Sequence, residues 1–284
     1  MPNFTYQQRS IHYLDRGQGP VVILLHGLGS CADDWELQIE ALASTFRIIA
    51  PDFRGHGKSS VASSAFSMQT LAQDIKALTE HLQLGQYHLV GFSLGGMVAF
   101  ELALLCPEHI ESMVIINSGP AVASDSWALK LQLQMRLMII RLLGMRRLGL
   151  MIGKKLFVKD QHQHLAKRFA EQMARLDATS YRHTLGAIST FNLQGQLKQI
   201  SMPVLVISAD QDYTPVAFKQ DYVRQLPNAS LVVIADSRHA TPLDQPQVLN
   251  QHLGKFLLNP GRTPSAPDSL VPNNHCGKTH EITP

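Results

Sequence analysis

The segment Gly91-Phe92-Ser93-Leu94-Gly95-Gly96 sets a serine between two different kinds of local sequence. Before it, Tyr87-His88-Leu89-Val90 reads as a short buried strand. After it, Gly95 to Leu105 is rich in small and apolar residues, reads as a helix and is stopped by Pro107. A serine at so abrupt a strand-to-helix turn is forced into strained backbone angles, with its hydroxyl pointing out of the sheet edge. Glycines at 91, 95 and 96 omit side chains that would collide as strand and helix approach. The free N–H groups and positive dipole end of the helix then face any oxyanion formed at Ser93. The chemistry this arrangement suits is nucleophilic attack on a carbonyl.

A serine hydroxyl is a weak nucleophile near neutral pH, so it needs a base, and the base needs an acid to orient it. His239 is the candidate base. It follows the strand-like run Leu231 to Ile234 and precedes the helix start at Asp244-Gln245-Pro246, so it sits on a loop anchored at both ends. Most of the other histidines read as surface or helix-face residues, and His26 as a residue that holds its own loop. Three acids are candidates. Asp210 and Asp212 lie in the turn Ala209 to Pro215 after the strand Pro203 to Ser208, and Asp236 stands three residues before His239, where it suits a loop cap. Asp212 lies deeper in its loop, and the Tyr-Thr-Pro that follows can pin the backbone. Two backbone donors would complete an oxyanion hole: Leu94, which follows the serine, and Leu28 in the glycine-bearing loop His26-Gly27-Leu28-Gly29.

These residues need a scaffold, and the pattern supplies one. Strand-like runs at Ile11 to Leu14, Val21 to Leu25, Phe46 to Ala50, Tyr87 to Val90, Ile110 to Ile116, Val204 to Ile207 and Leu231 to Ile234 alternate with helical spacing, clearest at Leu71, Ile75, Leu78 and Leu82. Such alternation predicts an α/β fold with a mostly parallel central sheet covered by helices. Ligand crevices in open sheets of this kind form at the strand C-terminal ends, where all three groups can converge. The strands stop between residues 121 and 198. That stretch carries 13 Lys and Arg against 4 Asp and Glu, although the whole chain has a net charge of only +3. It reads as a helical lid inserted between two parts of the core, 1–120 and 199–259. The stretch 260–284, rich in Pro, Ser, Asn and Gly, reads as a disordered tail that the chemistry does not need.

At 284 residues, 45% hydrophobic and 17% charged, the chain suits one large globular domain with an insert. Its overall charge gives no sign of nucleic-acid binding. Cys31, Cys106 and Cys276 are odd in number and irregularly spaced, which argues against a disulfide framework. Met1 to Arg16 is polar and lacks a signal-peptide core, and no run of about 18 apolar residues offers a spanning helix. The expectation is a cytoplasmic protein.

Taken in order, His26 to Gly29, Asp52-Phe53-Arg54-Gly55-His56-Gly57-Lys58-Ser59, Gly91 to Gly96, Ala209 to Pro215 and His239 resemble the α/β-hydrolase fold. More narrowly, the chain looks like its small intracellular serine esterases and lactonases with a helical lid. The resemblance covers about residues 10 to 258 apart from the lid. It implies Ser93 as nucleophile, Asp212 as acid, His239 as base, the N–H groups of Leu28 and Leu94 as oxyanion donors, and no metal or organic cofactor. Ala209 departs from it, since many relatives have glycine there. Haloalkane dehalogenases and epoxide hydrolases use an aspartate nucleophile, and Ser93 argues against both. The activity expected is cleavage of a carboxylic ester, thioester or lactone through an acyl-enzyme. The alternatives are a carbon–carbon bond hydrolase on the same triad and a hydrolase-fold ligand sensor.

The lid admits three readings. It is a helix pair with its apolar face on the pocket and its charges solvated, a dock for an acidic carrier protein, or a contact with an anionic lipid surface. Met135, Met138, Met145 and Met151 suggest an adaptable apolar pocket wall, favouring an acyl or other apolar substrate group. Gly144, Gly149 and Gly153 are expected to break any single long helix there.

Overall fold

The computed structural model describes residues 2–122 and 127–261. Most of the expected tail, including Cys276, lies outside the described residues. Eight strands form one sheet: β1 (Asn3–Tyr6), β2 (Arg9–Arg16), β3 (Val21–Leu25), β4 (Arg47–Pro51), β5 (Tyr87–Phe92), β6 (Ile110–Ile116), β7 (Val204–Ala209) and β8 (Ala229–Ile234). Their order across the sheet is β1-β2-β4-β3-β5-β6-β7-β8. β1 pairs with β2, and β2 with β4, antiparallel; every pairing from β4 to β8 is parallel. The expected sheet is therefore present, with one strand more than the sequence pattern suggested. β1 escapes notice because its turn into β2 uses Gln7 and Gln8, both at positive φ (48° and 63°), in place of the Asn-Gly or Gly pairs that usually mark such a hairpin.

Both faces of the inner strands are buried, and the side chains divide with period two. Ile23, Leu25, Leu89, Met113, Ile115, Val204 and Val206 pack on one face against α2 (Met68–His81), α3 (Leu94–Leu105) and Tyr222 of α7 (Val216–Val223). Val22, Leu24, Val90, Val114, Ile116, Leu205 and Ile207 pack on the other against α1 (Glu36–Leu42) and α9 (Pro246–Leu258). With both faces apolar, these strands read in sequence as continuous apolar runs.

Between β6 and β7 the chain forms α4 (Trp127–Leu156), α5 (Gln163–Arg175) and α6 (Ala178–Ser189); the short α8 (Thr241–Asp244) follows β8. The expectation that three glycines interrupt the first of these helices holds only at Gly144, whose φ of 77° and ψ of 171° kink α4. Gly149 stays helical because α5 packs against it: a Cβ there would lie 2.7 Å from the Met173 Cβ and 2.9 Å from the Ala170 Cα. Gly153 meets Ala166 in the same way, so these two glycines allow close helix packing and do not break the helix. The methionine wall also needs correction. Met135, Met138 and Met151 are exposed, and Met145 packs with Leu148, Met173, Tyr181 and Leu185; none of the four lines the cavity described below.

Candidate active site

Ser93 lies at the junction of β5 and α3 with φ 52° and ψ −113°, a conformation that non-glycine residues adopt only where the surroundings impose it. Its N–H donates to the Ile116 carbonyl at 2.9 Å, and its carbonyl accepts from the Ser118 hydroxyl at 2.7 Å, so β6 and its following loop hold the turn. Helix α3 crosses so close to β3 that a Cβ at Gly95 would sit 2.1 Å from the Leu25 carbonyl oxygen. That contact explains the glycine two residues after the serine.

His239 follows β8, and its Nε2 is 2.9 Å from Ser93 Oγ. Its Nδ1 is 2.5 Å from Asp212 Oδ1. A carboxylate can only accept, so Nδ1–H donates to Asp212 and Nε2 is left to accept from the serine hydroxyl. The imidazole ring lies against Tyr213, with centroids 4.4 Å apart and planes within 24°. Asp212 is buried. Burial alone would raise its pKa, but the hydrogen bond and charge of His239, with the charge of Lys219, hold it well below the usual carboxylate range. The Lys219 ammonium is itself fully buried and donates to Asp212 Oδ2, while the Thr214 hydroxyl donates to the same oxygen at 2.9 Å. Burial lowers the Lys219 pKa, and Asp212 opposes that shift.

The three acids are thereby separated by geometry. Asp210 accepts from the N–H groups of Asp236 and Ser237, both at 3.0 Å, and so ties the β8 loop to the β7 loop. Asp236, expected as a loop cap, instead has φ 55° and turns its carboxylate to Lys159 at 2.5 Å. Asp244 holds that loop in its place, accepting from Arg238 N–H at 2.7 Å and the Ser237 hydroxyl at 2.8 Å. Asn117, at φ 47°, joins the two loops: its amide donates to the His239 carbonyl at 2.8 Å, and its side-chain oxygen accepts from Ala209 N–H at 2.7 Å.

His26 is buried and holds backbone on both ring nitrogens, accepting from Phe53 N–H at 3.0 Å and donating to the Gly27 carbonyl at 2.8 Å. Burial lowers its pKa and keeps it neutral. Arg54, in the neighbouring loop, forms a buried two-pronged pair with Asp74 at 2.6 and 2.5 Å. Leu28 and Leu94 both border the cavity beside Ser93, and Leu94 opens α3, where a helix N–H has no carbonyl one turn earlier to bond.

The cavity has a volume of about 720 Å³. The strand C-terminal loops supply Ser93, His239 and Tyr213 on one side; Arg136, Ile152, Phe169 and Tyr181 of α4–α6 supply another. Sequence reasoning missed Lys219, Asn117, Tyr213 and the inward course of Arg136. A lysine inside an eight-residue helix carries no sign of burial, and Tyr213 entered only as part of a turn. Among the described residues, no group of three or more His, Cys, Asp or Glu is placed to hold a metal ion, and no helix is long and apolar enough to cross a membrane.

The sequence profile described as alpha/beta hydrolase fold matches residues 20–246. A pimeloyl-[acyl-carrier protein] methyl ester esterase from Aeromonas hydrophila is 31% identical over 255 residues, covering 85% of this chain and 96% of that one. A 3-oxoadipate enol-lactonase from Acinetobacter baylyi is 27% identical over 253 residues, covering 87% and 92%. The crystal structure of the enol-lactonase from Burkholderia xenovorans superposes with a TM-score of 0.83 at 22% identity, covering 90% of this chain and all of that one.

Proposed function

We propose that this chain, which belongs to the alpha/beta hydrolase fold family, is a serine hydrolase that cleaves a carboxylic ester, thioester or lactone through an acyl-enzyme. The observation that carries this reading is the line from Ser93 Oγ through His239 to Asp212, 2.9 and 2.5 Å long, whose Ser93 end opens on a mostly apolar cavity of about 720 Å³. Ser93 attacks the carbonyl carbon while His239 Nε2 takes its proton. Asp212 stabilises the imidazolium, and the N–H groups of Leu28 and Leu94 bind the oxyanion. His239 then returns the proton to the leaving alkoxide or thiolate and activates the water that releases the acid. Ser93 should be the one residue that a fluorophosphonate probe labels, and Ser93→Ala should abolish labelling and turnover while the protein stays folded. Labelling that persists in Ser93→Ala removes Ser93 from the mechanism.

The outer surface of α4 supports a second reading, about the partner. Arg146, Arg147, Lys154 and Lys155 are all exposed, and α4 contains no Asp or Glu. A field of one sign speeds encounter with an opposite charge and is screened beyond a Debye length of about 8 Å at physiological salt. An acidic carrier protein suits this surface, as the name of the Aeromonas relative suggests. An anionic lipid surface also suits it, because Trp127, Leu131, Met135, Met138 and Leu142 form an exposed apolar stripe on the same helix. Reversing Arg146 and Arg147 to Glu should weaken cosedimentation with anionic vesicles under the lipid reading. Under the carrier reading it should lower kcat/KM only for a carrier-linked acyl ester. No change in either measurement makes the cluster a solvated face.

A further inference from the structure

We infer that the cavity is built for a substrate carrying one carboxylate at a distance from its scissile carbonyl, and that Arg136 is the residue that reads it. The inference rests on the cavity being the acyl site. Helix α4 is apolar on more than one side: Leu131, Met135 and Met138 face solvent, while Leu133, Leu137 and Ile140 pack on the cluster around Met145 and Tyr181. Gln132 and Arg136, one turn apart, border the cavity. Among the described residues Arg136 is the one Lys or Arg in the cavity wall, and none of them supplies it with a carboxylate. Its single partner there is the Tyr181 hydroxyl, a long contact at 3.5 Å. Among the described residues the one carboxylate in the wall is Asp34, and it is engaged elsewhere. It accepts from the Ser30 hydroxyl at 2.6 Å and the Gln172 amide at 3.0 Å, and lies 3.4 Å from Arg168.

A half-buried guanidinium in this setting stays hydrated as long as water can reach it. An acyl chain that fills the cavity expels that water and sets the remaining N–H donors against methylene groups, which is costly unless the chain brings an acceptor. A carboxylate meets the need with two parallel hydrogen bonds. One fixed cation matches one negative charge, so a carboxylate fits better than a phosphate dianion. Arg136 also acts electrostatically on the phenols of Tyr181 and Tyr213, and Tyr213 lies flat on the His239 ring. The anion site and the reaction centre therefore share one wall of aromatic side chains. The mostly apolar lining of the cavity as a whole suits a methylene spacer, so the substrate class is a half-ester, or the corresponding lactone or thioester, of a dicarboxylic acid.

Binding can be measured without turnover in the Ser93→Ala protein. The probes are monomethyl esters of dicarboxylic acids from glutarate to suberate, compared with methyl esters of monocarboxylic acids of equal chain length, by titration calorimetry. The half-ester of best length should bind roughly 10- to 100-fold more tightly than its neutral counterpart, the range for a hydrogen bond to a charged group. That ratio should fall to near one with Arg136→Gln added. Arg136→Lys should keep part of it, and Arg136→Glu should favour a methyl ester ending in trimethylammonium, a reversal that a purely structural role would not produce. A ratio near one in the Ser93→Ala protein, a preference that survives Arg136→Gln, or no binding anywhere in the series overturns the inference. Turnover of the neutral esters by the unaltered chain tests the hydrolase reading separately. Hydrolysis without carboxylate preference removes Arg136 and leaves that reading, whereas Arg136-dependent binding with an unlabelled Ser93 does the reverse.

Discussion

Replacing Lys219 with methionine tests how the proposed triad is poised. The buried ammonium occupies Asp212 Oδ2, the oxygen that His239 leaves free. Lys219 and the imidazole thus stand on opposite sides of one carboxylate, on the order of 6 Å apart; at an effective dielectric of about 20, two positive charges at that separation repel by roughly 2–3 kcal/mol. Part of that is screened because His239 borders the open cavity. Removing the cation relieves that repulsion, so the acid limb of the kcat/KM profile should move to higher pH. The plateau should fall much less than in His239→Ala, which lacks the base and retains only the on the order of 10³–10⁴ that binding and an oxyanion hole provide over water. The fold should also weaken. Breaking a buried pair by removing one partner typically costs about 3–5 kcal/mol, and here the low end applies because Asp212 keeps His239 and the Thr214 hydroxyl. Denaturation midpoints and pH–rate profiles of Lys219→Met, with Lys219→Gln as a more polar second variant, supply the measurements. A folded variant whose acid limb stays in place, or moves to lower pH, refutes the claim that the Lys219 charge reaches the base.

Asp212→Asn should cost roughly 10⁴ in kcat by offering His239 a donor and stabilising the wrong tautomer, whereas Asp210→Asn should mainly lower the melting temperature, since its carboxylate serves the N–H groups of Asp236 and Ser237. A larger kinetic loss at Asp210 would mean that the orienting acid is misassigned. Gly149→Val should destabilise by about 1–3 kcal/mol through collision with α5, while Gly186→Ala on α6, where a Cβ meets nothing within 4 Å, should raise stability by up to about 1 kcal/mol; equal melting shifts would refute the packing argument. Burial, aided by the nearby His26, lowers the His56 pKa to about 3 against the opposing charge of Asp52, and burial also lowers that of His26. Between that value and the ordinary histidine pKa the unfolded chain binds a proton that folded His56 does not. Stability should therefore fall by about 2 kcal/mol between pH 7 and 5 in urea titrations, and a flat profile would count against a neutral buried His56.

Much of this molecule is local, and local features are legible in a sequence. The runs from Val21 to Leu25 and Met113 to Ile116 are apolar without interruption because both faces of a covered parallel sheet are dry, and each falls within a strand where the pattern placed one. The serine between strand and helix, with a glycine where α3 crosses β3, is likewise a matter of a few neighbouring residues, and so is the histidine loop after the last strand. Which acid faces that histidine was different. Asp210, Asp212 and Asp236 all stand within reach by sequence, and only the meeting of the β7 and β8 loops turns Asp212 to the imidazole, Asp210 to backbone N–H groups and Asp236 to Lys159. The helices between β6 and β7 were least legible. A helix with apolar residues on more than one side presents the same periodicity whichever face is covered, so the sequence could not say that Met135 and Met138 face water while Arg136 turns to the cavity. Nor could it mark Gly149 as a contact with α5 or Lys219 as a buried cation, because burial is set by partners far away in the chain, and only the packed structure supplies them.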